Sequence, residues 1–324
     1  MKAIVYSTRR NEKEFLIRAN DGKHELTWEI GPLNVETAVL AAGHQSVIVF
    51  TNDEVSCSVL SKLADLGVMY IMTRSAGTDH IDFKAALKFH IDVKNVPDYS
   101  PYAVSEFALA ITLALSRRLL EGNQNAKVYD FSLDKLTGFN LYGKTVGIIG
   151  LGHIGKATAK LFNGFGCKVL GYDINTVKVD PSINFVNLNE LLKNSDIISL
   201  HIPLNDATFH IINSKVLEQM KPGTMLINTA RGALVNTKDV LFALDSGHLA
   251  YYGADVYEFE RGLFFEDHEG DQFRDALLSR LMEHRNVLLT PHQAFLTVEA
   301  LSGIASQLIQ GLNEWELKPK QVLV

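Results

Sequence analysis

The chain has 324 residues and a net charge of −6, and 47% of it is hydrophobic against 21% charged. That length accommodates two domains with separate cores, and the balance is that of a folded globular protein. The acidic sum and a pI near 6.0 leave no basic footprint for a nucleic acid. The longest apolar helical stretch, 103–116, contains Glu106 and is too short to span a bilayer, so no membrane partner is expected. Cys57 and Cys167 form neither a disulfide framework nor a metal-ligand spacing; both read as buried thiols of a cytoplasmic protein that holds no metal.

MKAIVYS at the N-terminus lacks the apolar core and cleavage site of a signal peptide and reads as a first strand. KAIVYS, SVIVFT and VMYIMTRSAG are short buried strands within 1–98, with helical patterns at 34–41 and 57–66 between them. This alternation predicts a parallel, flavodoxin-like sheet. The third strand opens into Arg74-Ser75-Ala76-Gly77-Thr78-Asp79. Small residues at a strand's C-terminal end suit backbone N–H groups turned towards an anion. The same residues would also serve an ordinary βα turn. The Pro-bracketed segment 95–101 is a connector and candidate hinge, followed by a helix over 102–120.

The stretch 144–173, KTVGIIGLGHIGKATAKLFNGFGCKVLGYD, has a distinct grammar. A β-branched strand, 145–149, runs into Gly150-Leu151-Gly152-His153-Ile154-Gly155, then an apolar-periodic helix, then a second strand that delivers Asp173. Gly150 allows the tight turn, Gly152 lets the backbone approach a pyrophosphate, and Gly155 lets helix and strand pack closely. The helix N-terminus offers N–H groups and a positive dipole end to phosphates. Asp173 would accept hydrogen bonds from the adenosine ribose and repel a 2′-phosphate, favouring NAD over NADP.

Further strands follow at 196–201, 224–229, 250–257 and 287–290, making six in a doubly wound sheet. A long segment rich in Phe and acids, 258–285, lies between the last two and reads as a covering loop. Arg231, Glu260 and His292 fall at the C-terminal ends of successive strands. An arginine can clamp a carboxylate, a histidine can exchange a proton near neutral pH, and a carboxylate beside it can orient it. Taken singly, each has an ordinary alternative: a surface arginine, a solvated acid, a structural histidine. In this topological order they form a set fit for hydride transfer to and from a 2-hydroxy acid.

At these residues the chain resembles the D-isomer-specific 2-hydroxyacid dehydrogenases over nearly its whole length. GLGHIG with Asp173, NTARG (228–232), GADVYEFE (253–260) and LTPHQAF (289–295) match that family's motifs in order. The resemblance implies Arg231 as the carboxylate-binding catalytic arginine, His292 as the acid/base and Glu260 as its partner. It implies Thr229, Ala230, Arg231 and Asp255 around the nicotinamide half of NAD. His153, Ile154, Ile202, Pro203 and Thr208 would lie on the pyrophosphate and adenosine side. Ala76 and Gly77 match the family's substrate-carboxylate loop. NVPDYSPYAVSEFA, with Tyr99 projecting towards substrate, is similar to the fermentative D-lactate branch, as are the long insertion and the HQAFLT ending.

The resulting expectation is an α/β chain of two Rossmann-like or flavodoxin-like domains with the active site in the cleft between them. Residues 1–100 plus 299–324 would form a discontinuous substrate domain and 101–298 the NAD domain, with hinges near 99–101 and 294–298. The expected reaction is reversible reduction of pyruvate to D-lactate by NADH, in a homodimer or higher homo-oligomer formed through the NAD domain. A dehydrogenase for a bulkier 2-keto acid is the nearer rival. An NAD-sensing protein like the C-terminal-binding co-repressors is the more distant one.

Overall fold

A computed structural model describes residues 1–97, 99–175, 180–271 and 275–317, and divides the chain into two units. The first comprises residues 1–100 and the chain from Leu296 onward; the second is Pro101–Phe295.

The first unit runs β1 (Lys2–Val5), α1 (Arg10–Asn20), β2 (Glu25–Trp28), β3 (Ser46–Val49), α2 (Cys57–Asp65), β4 (Tyr70–Thr73), α3 (Phe83–Lys88) and β5 (Asp92–Lys94). All five strands are parallel in the order β2-β1-β3-β4-β5, the flavodoxin-like arrangement. β3 is buried at every position, which explains its unbroken apolar run. β2 and β5 escaped the sequence reading because they are edge strands, and ELTW and DVK keep charged residues where a central strand would be apolar. The helical pattern at 34–41 forms only a 3-10 turn, Thr37–Ala41, because Asn34 turns its side chain back on the N–H groups of Glu36 and Thr37. Cys167 is buried, but Cys57, at the first position of α2, is exposed, contrary to expectation.

In the second unit the long helix expected over 102–120 is two helices, α4 (Pro101–Ser116) and α5 (Leu119–Lys127). Arg118 takes a left-handed φ of 51°, and Ser116 gives its carbonyl to the N–H of Phe139. Gly138 permits that approach, since a Cβ there would strike the Ser116 carbonyl. Then follow β6 (Thr145–Ile149), α6 (His153–Gly164), β7 (Lys168–Tyr172), β8 (Ile183–Phe185), α7 (Leu188–Asn194), β9 (Ile197–Leu200), α8 (Ser214–Leu217), β10 (Thr224–Asn228), α9 (Thr237–Asp245), β11 (Leu249–Ala254), α10 (Ala276–Glu283) and β12 (Val287–Leu289).

The sheet has seven parallel strands, not six, in the order β12-β11-β10-β9-β6-β7-β8. The missed strand, β8, is a three-residue edge with two exposed positions. The segment 258–285 is likewise not all loop, because α10 fills its C-terminal part as an ordinary crossover helix. Chain direction across the sheet reverses between β6 and β9, the place where open α/β sheets leave a crevice at their C-terminal edge.

The last helix, α11 (Val298–Glu316), is capped by the Thr297 side chain and packs on α1 and β4 of the first unit. Among the described residues no helix is long and apolar enough to cross a membrane, and no group of His, Cys, Asp or Glu could hold a metal ion.

Candidate active site

The glycine turn sits at the β6–β9 switch point, and each glycine has a separate reason. Gly150 takes φ 97°, and a Cβ there would run into the His201 carbonyl at the end of β9. Gly155 faces the Gly150 carbonyl so closely that α6 can start only if this residue has no side chain. Gly152 is different: a Cβ there would meet nothing within 4 Å, so the protein leaves open space beside it. Asp173, at the end of β7, accepts the Leu151 N–H at 2.8 Å and the Asn175 N–H at 2.9 Å, which fixes its carboxylate beside the turn. Ile202 packs against Gly150, and Thr208 closes its loop by donating to the Pro203 carbonyl at 2.8 Å. His153 is exposed and Ile154 half-buried at the start of α6. Thr229 supplies a second mark of an unfilled partner, for its Oγ1 is buried without a hydrogen-bond partner among the described residues. Open space at a helix start, a fixed acid and an orphaned hydroxyl suit a dinucleotide.

The chemistry gathers on the neighbouring strand ends. Asn228 pairs with Ala254 and Ala254 with Leu289, so β10, β11 and β12 present their C-terminal ends side by side. Arg231, Glu260 and His292 emerge from those ends in turn. His292 Nδ1 lies 2.8 Å from Glu260 Oε1. A carboxylate only accepts, so Nδ1 carries the hydrogen and Nε2 is the nitrogen left to exchange a proton. Glu260 Oε2 accepts the Tyr257 N–H at 2.9 Å, so both its oxygens are held.

His292 itself takes a left-handed φ of 55°, an unusual backbone that the surrounding structure must hold in place. Asp255 does the holding. It is fully buried and accepts from Thr290 Oγ1 at 2.6 Å, Gln293 N at 2.9 Å and Ala294 N at 2.7 Å. Burial pushes its carboxyl above the usual range, while these hydrogen bonds and the neighbouring His292 pull it down. The sequence reading gave Asp255 a place near the cofactor and missed this second task.

Arg231 is half-buried and donates from Nη1 to the Ala230 carbonyl at 2.8 Å. Asn228 braces the turn, accepting from Ala230 N at 3.1 Å and donating to the Arg231 carbonyl at 2.9 Å. Gly232 is needed beside it, since a Cβ would collide with the Tyr257–Glu258 backbone. NTARG is therefore a motif of close approach as well as of charge.

In the first unit, Ala76 and Gly77 follow β4 in a loop tied down through its carbonyls. Asn95 donates to the Ala76 carbonyl at 2.8 Å and Ser75 Oγ to the Gly77 carbonyl at 2.7 Å. Their N–H groups have no partner among the described residues, as an anion-binding loop requires. Tyr99 passes α11 at Gly303, where a Cβ would sit 2.9 Å from the Tyr99 carbonyl oxygen.

Two features had no signal strong enough to find. His210 Nε2 contacts Glu258 Oε1 at 2.5 Å, and Glu258 Oε2 accepts the Thr237 N–H at 3.0 Å. This clasp joins the Thr208 loop to the strand end that carries Glu260. The second is Phe265, whose ring centroid lies 5.3 Å from that of His292.

A family model described as the D-isomer specific 2-hydroxyacid dehydrogenase NAD binding domain matches residues 109–294. Over 319 residues the chain is 41% identical to a D-lactate dehydrogenase of Escherichia coli K12, covering 98% of this chain and 97% of the relative. Among solved structures it is similar to the pyruvate reductase of Chlamydomonas reinhardtii, with a TM-score of 0.89 and 38% identity over 99% of this chain and 98% of that one. It is also similar to a D-lactate dehydrogenase of Aquifex aeolicus complexed with NAD and lactic acid, with a TM-score of 0.87 and 31% identity over 97% and 95%.

Proposed function

The chain belongs to the D-isomer-specific 2-hydroxyacid dehydrogenases, an NAD-dependent oxidoreductase family, and from that membership we propose that it reduces pyruvate reversibly to D-lactate. The observation that carries the reading is the Glu260–His292 pair, set beside Arg231 on adjacent strand ends. The choice of pyruvate is supported by what the similar E. coli and Chlamydomonas proteins are called.

The cofactor is NAD. The glycine turn, His153 and Ile154 at the start of α6 and Asp173 would hold its adenosine diphosphate half, with Ile202, Pro203 and Thr208 nearby. Thr229, Ala230, Arg231 and Asp255 would line the nicotinamide half. When bound, the cofactor supplies or accepts the hydride. Everything else falls to side chains of the protein. Arg231 holds the substrate carboxylate, and the Ala76 and Gly77 N–H groups are the first unit's candidates for binding a carboxylate. Protonated His292 donates a hydrogen bond from Nε2 to the C2 carbonyl oxygen and releases its proton there as the alcohol forms. Glu260 keeps Nδ1 hydrogen-bonded, which leaves Nε2 as the nitrogen that exchanges the proton. Tyr99 is assigned to the methyl side of the substrate.

Two substitutions test the assignment. Arg231→Ala is expected to raise KM for pyruvate and lower kcat; unchanged kinetics would remove it from the site. His292→Ala should cost roughly 10²–10⁴-fold in kcat, the usual size of a general-acid contribution, with NADH binding retained. Loss of NADH binding in that variant would mark a structural histidine instead. The two free cysteines accord with the reducing, cytoplasmic setting we propose.

We also assign self-association to the second unit. Nine of the sixteen residues of α4 are buried within the chain. Beyond it, Leu119, Leu120, Val128, Tyr129, Phe131 and Leu133 are all at least half exposed. A run of apolar side chains this dense is what a second copy would cover.

A further inference from the structure

We propose that Phe265 is a positioning residue for His292, holding the plane of the imidazole and screening it from water. The inference rests on reading His292 as the proton donor. Glu260 restrains that imidazole at Nδ1, and because the outer torsion of histidine is broad, one hydrogen bond defines the ring plane only loosely. A flat group against the ring face removes that freedom. Phe265 is so placed, with ring centroids 5.3 Å apart and planes inclined by 39°.

The backbone shows that this contact is held by design of the turn. Phe265 takes a φ of 74°, a left-handed conformation that an aromatic residue seldom adopts. Non-glycine residues held in that region cluster where structure serves a site. The preceding turn is wound on Glu260, whose carbonyl accepts the N–H groups of Leu263 at 3.0 Å and Phe264 at 2.9 Å. Leu263 and Phe264 pack on the buried core of the second unit, and the Phe264 ring lies 6.4 Å from that of Tyr257. Those two residues anchor the turn. Phe265 follows with its left-handed backbone, and its ring lies beside that of His292. Glu260 thus supports the imidazole twice, by its carboxylate and by the turn that its carbonyl organises. Proton delivery to a carbonyl oxygen tolerates little misalignment, so loss of the ring should act on the chemical step.

The test compares Phe265→Gly, which keeps the left-handed backbone easy and removes the ring, with Phe265→Leu, which keeps apolar bulk. Phe265→Gly is expected to lower kcat for pyruvate about 10–100-fold, within the range a displaced general acid can cost. NADH affinity by fluorescence titration should stay within about twofold, and the solvent deuterium isotope effect on kcat should rise. Phe265→Leu should recover most of kcat. Independently of turnover, carbethoxylation of His292 by diethyl pyrocarbonate, followed by mass spectrometry, should be several-fold faster in Phe265→Gly. An unchanged carbethoxylation rate, or a fall in kcat that merely follows lost NADH affinity, would overturn the proposal. The His292→Ala variant separates the two claims: full activity there refutes the proton-donor reading, whereas an inactive His292→Ala beside a fully active Phe265→Gly refutes only the role of Phe265.

Discussion

His201 and His292 lie in one unit, yet their surroundings suit them to opposite tasks. His292 keeps a carboxylate at Nδ1 and one nitrogen for chemistry. His201 closes β9 behind the glycine turn, its ring Nε2 2.9 Å from Ser199 Oγ, and burial pushes its pKa down to about 4 from the ordinary 6.5. It is therefore a neutral, structural imidazole. A depressed folded-state pKa means that between about pH 6.5 and 4 the unfolded chain binds a proton the native chain refuses, so stability falls as pH falls through that window. His201→Gln is expected to flatten that part of the curve of Tm against pH relative to the parent. Parallel curves would show that the native imidazole titrates normally. The sequence reading placed His201 correctly at a strand end, but its neutrality depends on what surrounds it and has no local signature. The His210–Glu258 clasp was hidden for a related reason, since its partners are 48 residues apart and only the sheet brings them together.

At the scale of elements, the β6-turn-α6 unit separates folding from binding within six residues. Gly155→Ala would place a methyl against the Gly150 carbonyl and should destabilise the protein before any ligand is added. Gly152→Ala would meet no protein atom within 4 Å, so its Tm should barely move while NADH affinity falls. Calorimetry and NADH titration on the two variants check this; a Gly152→Ala protein with parental NADH affinity would argue against a pyrophosphate beside that residue. Central elements were legible because burial on both faces demands unbroken apolar runs, as in SVIV and TVGII. Edges were not: β2, β5 and β8 are short, and their exposed positions admit charge. The break between α4 and α5 was invisible because Arg118, and no glycine or proline, adopts the left-handed turn. The loop of Ala76 and Gly77 after β4 was readable as a loop, but its tied carbonyls, and N–H groups without a partner among the described residues, distinguish it from an ordinary turn.

Across the whole molecule, the two sheets share one device, a parallel array with the candidate site residues on loops at its C-terminal edge. The motifs that matched the family in sequence all lie on such edges, which is why function was more legible than element boundaries. Self-association is a property of this scale too. Sedimentation equilibrium should show a dimer or larger assembly, and Phe131→Ser with Leu133→Ser should weaken it, because both side chains are more than two-thirds exposed on one apolar segment. A parent chain that sediments as a monomer would leave that segment without the partner assigned to it.

The most direct test of the reaction is oxidation of NADH, followed at 340 nm with pyruvate, with the product resolved by chiral chromatography. The expected result is D-lactate formed at a kcat/KM above that for phenylpyruvate or 2-ketoisocaproate. Formation of L-lactate, or bound NADH that no 2-keto acid oxidises, would contradict the account.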